Sequence, residues 1–287
     1  MKHLLIILSL FLFSLTVISC AKKSSDDSKT NTDNTTTNTT SSGLFIAVGA
    51  AGTLLTSSDG ITWTAQTSGT SNNLRAVAYD GSSTLVAVGY SGTILTSSDG
   101  TTWTSRTSGT SDNITSVSYF SGGAFAAAGG NGTLLVSTDG ITWIDQTSSC
   151  GMTEDMWDVN LGKSSIGVII GDNGSIYTSS DKGSTCTKRT SGTTVEFNEL
   201  IYGNSTFVAA GDNGTILTSS NGTSWTSRTS GTTNALYGGT YTDSNEDGVK
   251  EFVLVGASGK ILSSKDDGAS WSSVSLTSMT PGNVLGI

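Results

Sequence analysis

The chain has 287 residues, with 14 Lys and Arg against 23 Asp and Glu, a net charge of −9, 36 Gly and a single Pro. That acidic balance argues against nucleic acid as a partner and against broad docking on an anionic membrane. The only His, His3, falls in a leader-like segment, which excludes His-based catalysis downstream of it.

Residues 1–19 read as a targeting segment and are set apart from the fold. Lys2 and His3 give it a positive start, and residues 4–17 are its apolar core. That run is shorter than the ~20 residues a bilayer-spanning helix needs. It ends in Val17-Ile18-Ser19-Cys20, which resembles a bacterial lipobox with Val17 at the place usually held by Leu. The resemblance implies that Cys20 carries a lipid and anchors the chain to the cell envelope, with the outer membrane preferred over the inner. An ordinary secretory signal with an incidental Cys is the alternative. Residues 20–43 contain Lys, Ser, Asp, Asn and Thr without an apolar run, so they are expected to be a flexible tether.

From residue 44 to 287 the chain repeats with a period near forty residues, which fixes the architecture before any local reading. The first Gly of a G-x-x-G pair recurs at Gly49, Gly89, Gly129, Gly171, Gly211 and Gly256. An aromatic mark recurs at Trp63, Trp103, Trp143, Trp225 and Trp271, with Cys186 in the sixth place. Apolar bursts of four to six residues separated by Gly, Ser, Thr and Asn predict strands, and no window has helical periodicity. The second repeat resolves into four strands over residues 74–79, 84–89, 93–97 and 102–107. The turn 89–92 uses Gly for positive φ, and Ser98-Asp99-Gly100-Thr101 is a D-G hairpin. Four-stranded antiparallel units repeated radially make β-propeller blades.

The turn before the aromatic mark resembles the Asp-box (BNR) repeat, S-x-D-x-G-x-T-W. Residues 264–271 and 179–186 have its full length, while the copies around Asp59, Asp99 and Asp139 are one residue shorter and Asn221 replaces Asp in another. The resemblance implies that Asp59, Asp99, Asp139, Asp181 and Asp266 are structural, accepting bonds from turn amides. The same repeats are similar to photosystem II assembly-factor propellers, from which the fold is carried over and the role is not.

The fold expected is all-β, a six-bladed propeller. The first repeat lacks its first strand, and residues 283–287 stand 13 residues after Trp271 near Val284, the spacing seen from Trp143 to Met156. The C-terminal strand is therefore expected to join the N-terminal blade and close the domain.

Function, if local, should sit at departures from the repeat. Residues 148–155 form a longer loop; Trp157 appears where Cys186 replaces the aromatic mark, and is expected to refill its volume; residues 242–250 are an insertion. That insertion has oxygen side chains at alternate positions and is similar to FG-GAP calcium loops. The resemblance implies a structural Ca2+ on Asp243, Asn245, Asp247, the Val249 carbonyl and Glu251. Asp158 and Glu199 fall on inner strands of adjacent blades as channel-lining groups able to bind a ligand. They are also the one acid pair available to an Asp-box hydrolase of sialidase or glycosidase type. Against that class, Arg106, Arg189 and Arg228 occupy a peripheral repeat position where they cannot converge on a carboxylate, and only Arg75 is on an inner strand. Cys150 and Cys186 are placed on opposite faces, so no bridge is expected. The reading is a monomeric, non-catalytic binding or scaffolding lipoprotein whose partner is an envelope protein or a glycan.

Overall fold

The computed structural model describes residues 17–23, 43–120, 122–162, 166–242 and 249–274. Six four-stranded antiparallel sheets follow one another along the chain. The second repeat supplies Leu74–Tyr79, Leu85–Gly89, Thr93–Ser97 and Thr104–Arg106, within two residues of the expected limits. The inner strands of the other blades are Val17–Lys23, Ile114–Phe120, Met156–Leu161, Phe197–Gly203 and Leu236–Thr242. Each packs against the next, from the first blade to the sixth.

Among the described residues, five apolar layers fill the spaces between successive blades, from the first to the sixth. Val86, Val88 and Ile94 of the second blade meet Ile114, Val117 and Phe125 of the third, for example. Because both faces of a blade are covered, all five residues of Leu85–Gly89 are buried. Such a strand reads as a continuous apolar burst and shows no alternation.

The first blade corrects the expected closure. Its inner strand is Val17–Lys23, paired antiparallel to Leu44–Gly49 with Cys20 opposite Ala47. The edge assigned to the C-terminus is thus taken by an upstream segment, and no hydrogen bond joins the sixth sheet to the first among the described residues. Residues 283–287 lie outside those residues. Equal spacing after Trp271 could not decide the matter, because Val17-Ile18-Ser19-Cys20 is β-prone as well as leader-like. The strand straddles the expected boundary at residue 20, with Val17, Ile18 and Ser19 on the leader side.

At the outer edge the same atoms recur in every blade. Ser97 Oγ donates to Asp99 Oδ1 (2.9 Å) and accepts from Gly100 N (2.8 Å), while Asp99 Oδ1 accepts from Thr101 N and Thr102 N (both 2.8 Å). The sets around Asp59 and Asp139 repeat it, and Asn221 does the same, while in the longer boxes Asp181 and Asp266 accept from one amide each, Thr185 N and Ser270 N (both 2.9 Å), and from the hydroxyl of that same residue. These amide bonds hold Asp59 and, with the Ser270 hydroxyl leading, Asp266 down to about 2, and hold Asp99, Asp139 and Asp181 below the usual carboxylate range. Trp103, Trp143, Trp225 and Trp271 donate Nε1 to the carbonyl of the box glycine at 2.9–3.1 Å. The first glycine of each G-x-x-G has another reason to be glycine. Gly89 would direct a Cβ onto the carbonyl oxygen of Asn73 as the inner strand begins.

The fourth blade departs twice from expectation. Cys150 and Cys186 form a disulfide, with Cα atoms 4.7 Å apart. The loop folds back through one α-helical turn, Thr147–Cys150, ended by Gly151 in the left-handed region (φ 59°). That turn is also the departure from an all-strand reading. The fourth blade's longer Asp box moves to meet it. Gly100, Gly140 and Gly222 lie over the second strand of the preceding blade, whereas Gly183 lies over Leu134 and Val136 of the third. Cys150 Sγ also reaches the Gly183 carbonyl (3.4 Å), the counterpart of the oxygen that the Trp marks bond. The disulfide, Met152 and Tyr177 therefore fill the place of the missing indole. Trp157 does not; it is on an inner strand.

Candidate functional site

All six inner strands begin with a β-bulge on the face where the second and third strands of each blade turn. A bulge leaves one residue unpaired and re-aims it. That residue is Ile18, Arg75, Thr115, Trp157, Asn198 and Tyr237 in blade order, so the position has no fixed side chain. Its neighbour across the blade, at the start of the turn, is Ala50, Tyr90, Gly130, Asp172, Asp212 and Ala257 in the same order. The Arg75 guanidinium lies 5.8 Å from the Tyr90 ring centre, Trp157 Nε1 donates to Asp172 Oδ1 (2.6 Å), and Asn198 Nδ2 donates to Asp212 Oδ1 (3.1 Å). These pairs lie where the inner strands begin, at the mouth of the propeller.

In the second, third and fourth blades the residue just before the inner strand bonds to the turn of the preceding blade. Asn73 Oδ1 accepts from Ala51 N (2.9 Å), Asn113 Oδ1 from Ser91 N (3.1 Å), and Asp155 Oδ1 from Asn131 N (2.8 Å). Glu196 holds the same place in the fifth blade. Burial, then the Asp172, Asp212 and Asp155 carboxylates, push its pKa up. Two clefts open on this face: one of about 260 Å³ reaching from Tyr90 to Trp157, and one of about 450 Å³ around Asp172, Glu196 and Asp212.

Further along the inner strands the structure brings Asp158 and Glu199 together, each half-buried. Asp158 Oδ1 accepts from Ser116 Oγ (2.5 Å) and Val159 N (2.8 Å), and Oδ2 accepts from Leu200 N (2.8 Å). Glu199 accepts from the Gly239 amide of the sixth blade. Each carboxylate thus reaches the inner strand of the following blade. Desolvation pushes Asp158 up to about 6 despite those bonds, and desolvation plus the Asp158 charge lifts Glu199 well above the usual range. Chemically the pair can hold a proton or a cation. A nucleophile's free oxygen is not what Asp158 offers, since both its oxygens are engaged.

The other sequence candidates are scattered. Arg106, Arg189 and Arg228 each donate Nε to a Thr on the adjacent third strand at 2.8 Å, on the outer edge. Asp243, Asn245 and Asp247 lie outside the described residues; Val249 is exposed and Glu251 is buried at the start of Glu251–Gly256. Among the described residues no group of three or more His, Cys, Asp or Glu is arranged to hold a metal ion, and no helix is long and apolar enough to cross a membrane. The sequence reading missed Glu154, whose Oε1 receives Lys188 Nζ (2.6 Å) and whose Oε2 receives the Tyr177 hydroxyl (3.2 Å). Its place in the long loop was the available signal.

The model of the photosynthesis system II assembly factor YCF48 family matches residues 24–180, over half of the chain. The chain belongs to the YCF48 family. Its fold is similar to that of a YCF48 bound to a D1 peptide (18% identity, TM-score 0.63, covering 80% of this chain and 76% of that one). YCF48 from Cyanidioschyzon merolae superposes at TM-score 0.67 with 14% identity, covering 95% and 89% of the two chains. The GH74 enzyme of Niastella koreensis is similar at TM-score 0.61 with 18% identity, over 81% of this chain and 36% of that one. No curated protein matches the chain significantly. At these identities the structures establish the fold alone, and the family assignment rests on the sequence match.

Proposed function

We propose that the chain is a non-catalytic binding propeller of the YCF48 type, and that the variable mouth is its binding face. The observation that carries this is internal to the repeats. Serine, Asp or Asn, and glycine recur at the outer edge, whereas the bulge position differs in every blade and its turn neighbour is Ala50, Tyr90, Gly130, Asp172, Asp212 or Ala257. Positions with no fixed scaffold duty are available for a partner. A relative holds a D1 peptide, which supports peptide binding as a role for this fold. The partner proposed here is an envelope protein or a glycan. Photo-crosslinkers at Asn131 and Asn173 should capture it in envelope preparations, and crosslinkers at Ile61 and Ile141 on the outer edge should not. Equal capture at both places would remove the face assignment. Turnover of fluorogenic sialosides or glycosides, lost in Glu199→Gln, would favour a hydrolase instead.

The lipid anchor on Cys20 belongs to the same proposal, resting on Val17-Ile18-Ser19-Cys20. Cleavage before Cys20 would remove three of the seven residues of Val17–Lys23, so anchoring and the full strand are alternatives. Labelled palmitate should enter the wild-type chain and not Cys20→Ala; equal labelling would refute it. A structural Ca2+ in residues 243–251 rests on the alternating oxygen side chains and should raise the melting temperature as mass action requires. Unchanged melting with calcium and with chelator would leave a polar hairpin only.

A further inference from the structure

Trp157 is the aromatic that the scaffold does not use. It stands at the bulge position of the fourth blade, half-buried, with its indole fixed by the bond to Asp172. It forms one wall of the 260 Å³ cleft and Tyr90 of the second blade forms another. Between them are the exposed side chains of Asn113, Asn131 and Asp155. The volume is just under the roughly 300–1,000 Å³ of common small-molecule sites, which suits one small ring.

The polar groups decide which ring. Asp112, at the cleft floor, spends Oδ1 on Asn131 Nδ2 (2.9 Å) and Oδ2 on the hydroxyls of Thr110 and Thr133 (3.1 and 3.2 Å). Asp155 Oδ1 is spent on Asn131 N. That leaves Asp155 Oδ2 and Asn131 Oδ1 as acceptors, and Asn113 Nδ2 as a donor, without partners among the described residues. Donors and acceptors set side by side between two aromatic rings match a ligand with vicinal hydroxyls and an apolar C–H face. An anionic sugar would meet the Asp112 and Asp155 charges, two carboxylates against the Arg75 guanidinium that stands 5.8 Å from the Tyr90 ring centre. A simple cation would use the carboxylates and rings but would leave the Asn113 amide facing positive charge.

We infer that the cleft between Tyr90 and Trp157 is a non-catalytic binding site for a neutral sugar ring. This deepens the mouth-face reading and rests on it. The test uses the full-length chain in a sugar-free detergent, with titration calorimetry and saturation-transfer NMR. The probes are glucose, galactose, mannose, N-acetylglucosamine and their β-1,4 dimers, with glucuronate, N-acetylneuraminate and spermidine for comparison. At least one neutral saccharide should bind with a Kd of about 1 mM, with glucuronate and N-acetylneuraminate at least about tenfold weaker. Trp157→Ala and Asp155→Asn should each weaken it about tenfold or more. Asp155→Asn keeps the turn latch, since Asn73 and Asn113 make the same bond elsewhere, so its melting temperature should not move. No saturation by any neutral probe at about 10 mM, spermidine binding in their place, or wild-type affinity in both variants overturns the proposal. Crosslinking at Asn131 and Asn173 that persists without saccharide binding would leave the mouth-face reading standing and the sugar site refuted.

Discussion

The outer edge of the blades and the mouth of the channel solve different problems with the same repeat. At the edge, Ser97, Asp99 and Gly100 and their equivalents recur in all six blades as a hydroxyl, a side-chain acceptor and a buried glycine amide, and from the second blade onward the box glycine lies against the preceding blade. At the mouth, Arg75, Thr115, Trp157, Asn198 and Tyr237 share one backbone position and no common side chain. The difference teaches where stability is concentrated and where sequence is free to change. An edge substitution should cost folding; a mouth substitution should cost binding.

The largest expected effect is at the one edge that breaks the pattern. The Cys150–Cys186 bond closes a separation of 36 residues, worth about 3–4 kcal/mol on the loop-entropy account. Replacing both by Ala should lower the midpoint of urea unfolding accordingly, and an unchanged midpoint would show that Met152 and the Glu154–Lys188 pair already hold the loop. Next comes Ser97→Ala. It strands the buried Gly100 amide, so the loss should be roughly 1–3 kcal/mol; a loss near zero would mean that the box is decoration.

How much of this was legible beforehand follows the same division. Six marks in phase showed the blades and their strand limits, because each blade buries its own apolar bursts between neighbours. The first blade's inner strand was not legible, since two β-prone segments could reach the Leu44–Gly49 edge and spacing does not weigh one against the other. The disulfide was missed because the positions of strand ends do not reveal that Thr147–Cys150 turns back or that the longer Asp box shifts toward it. Trp157 was noticed as a departure and assigned to the wrong layer. That it lines one cleft with Tyr90 requires knowing that a turn of one blade faces the inner strands of later ones. Asp158 and Glu199 lie on the inner strands Met156–Leu161 and Phe197–Gly203 that the repeat spacing pointed to, but their bonds to Leu200 N and Gly239 N depend on the bulges.

A smaller effect sharpens the contrast inside the channel. Asp158 and Glu199 have folded pKa values raised above their unfolded ones, so their contribution is fully present below pH about 4 and is lost as pH rises through about 6 and beyond. Glu199→Gln keeps an acceptor for Gly239 N and removes the charge. It should therefore raise the melting temperature by a few degrees at pH 8 and by less at pH 5. The Asp boxes have the opposite sign: their lowered pKa values give stability above about 4 that is lost as pH falls toward 2. A variant that melts as wild type at both pH values would mean that the channel carboxylates are fully solvated.

The most direct test of the division between edge and mouth is the thermal melting of two triple variants side by side. One is Arg75→Ala with Trp157→Ala and Tyr237→Ala; the other is Ser97→Ala with Ser137→Ala and Ser219→Ala. The account predicts that the mouth variant melts within a few degrees of wild type, while the edge variant loses several kcal/mol as three buried amides lose their partner. A mouth variant that unfolds as early as the edge variant would contradict it, because the variable positions would then be part of the scaffold.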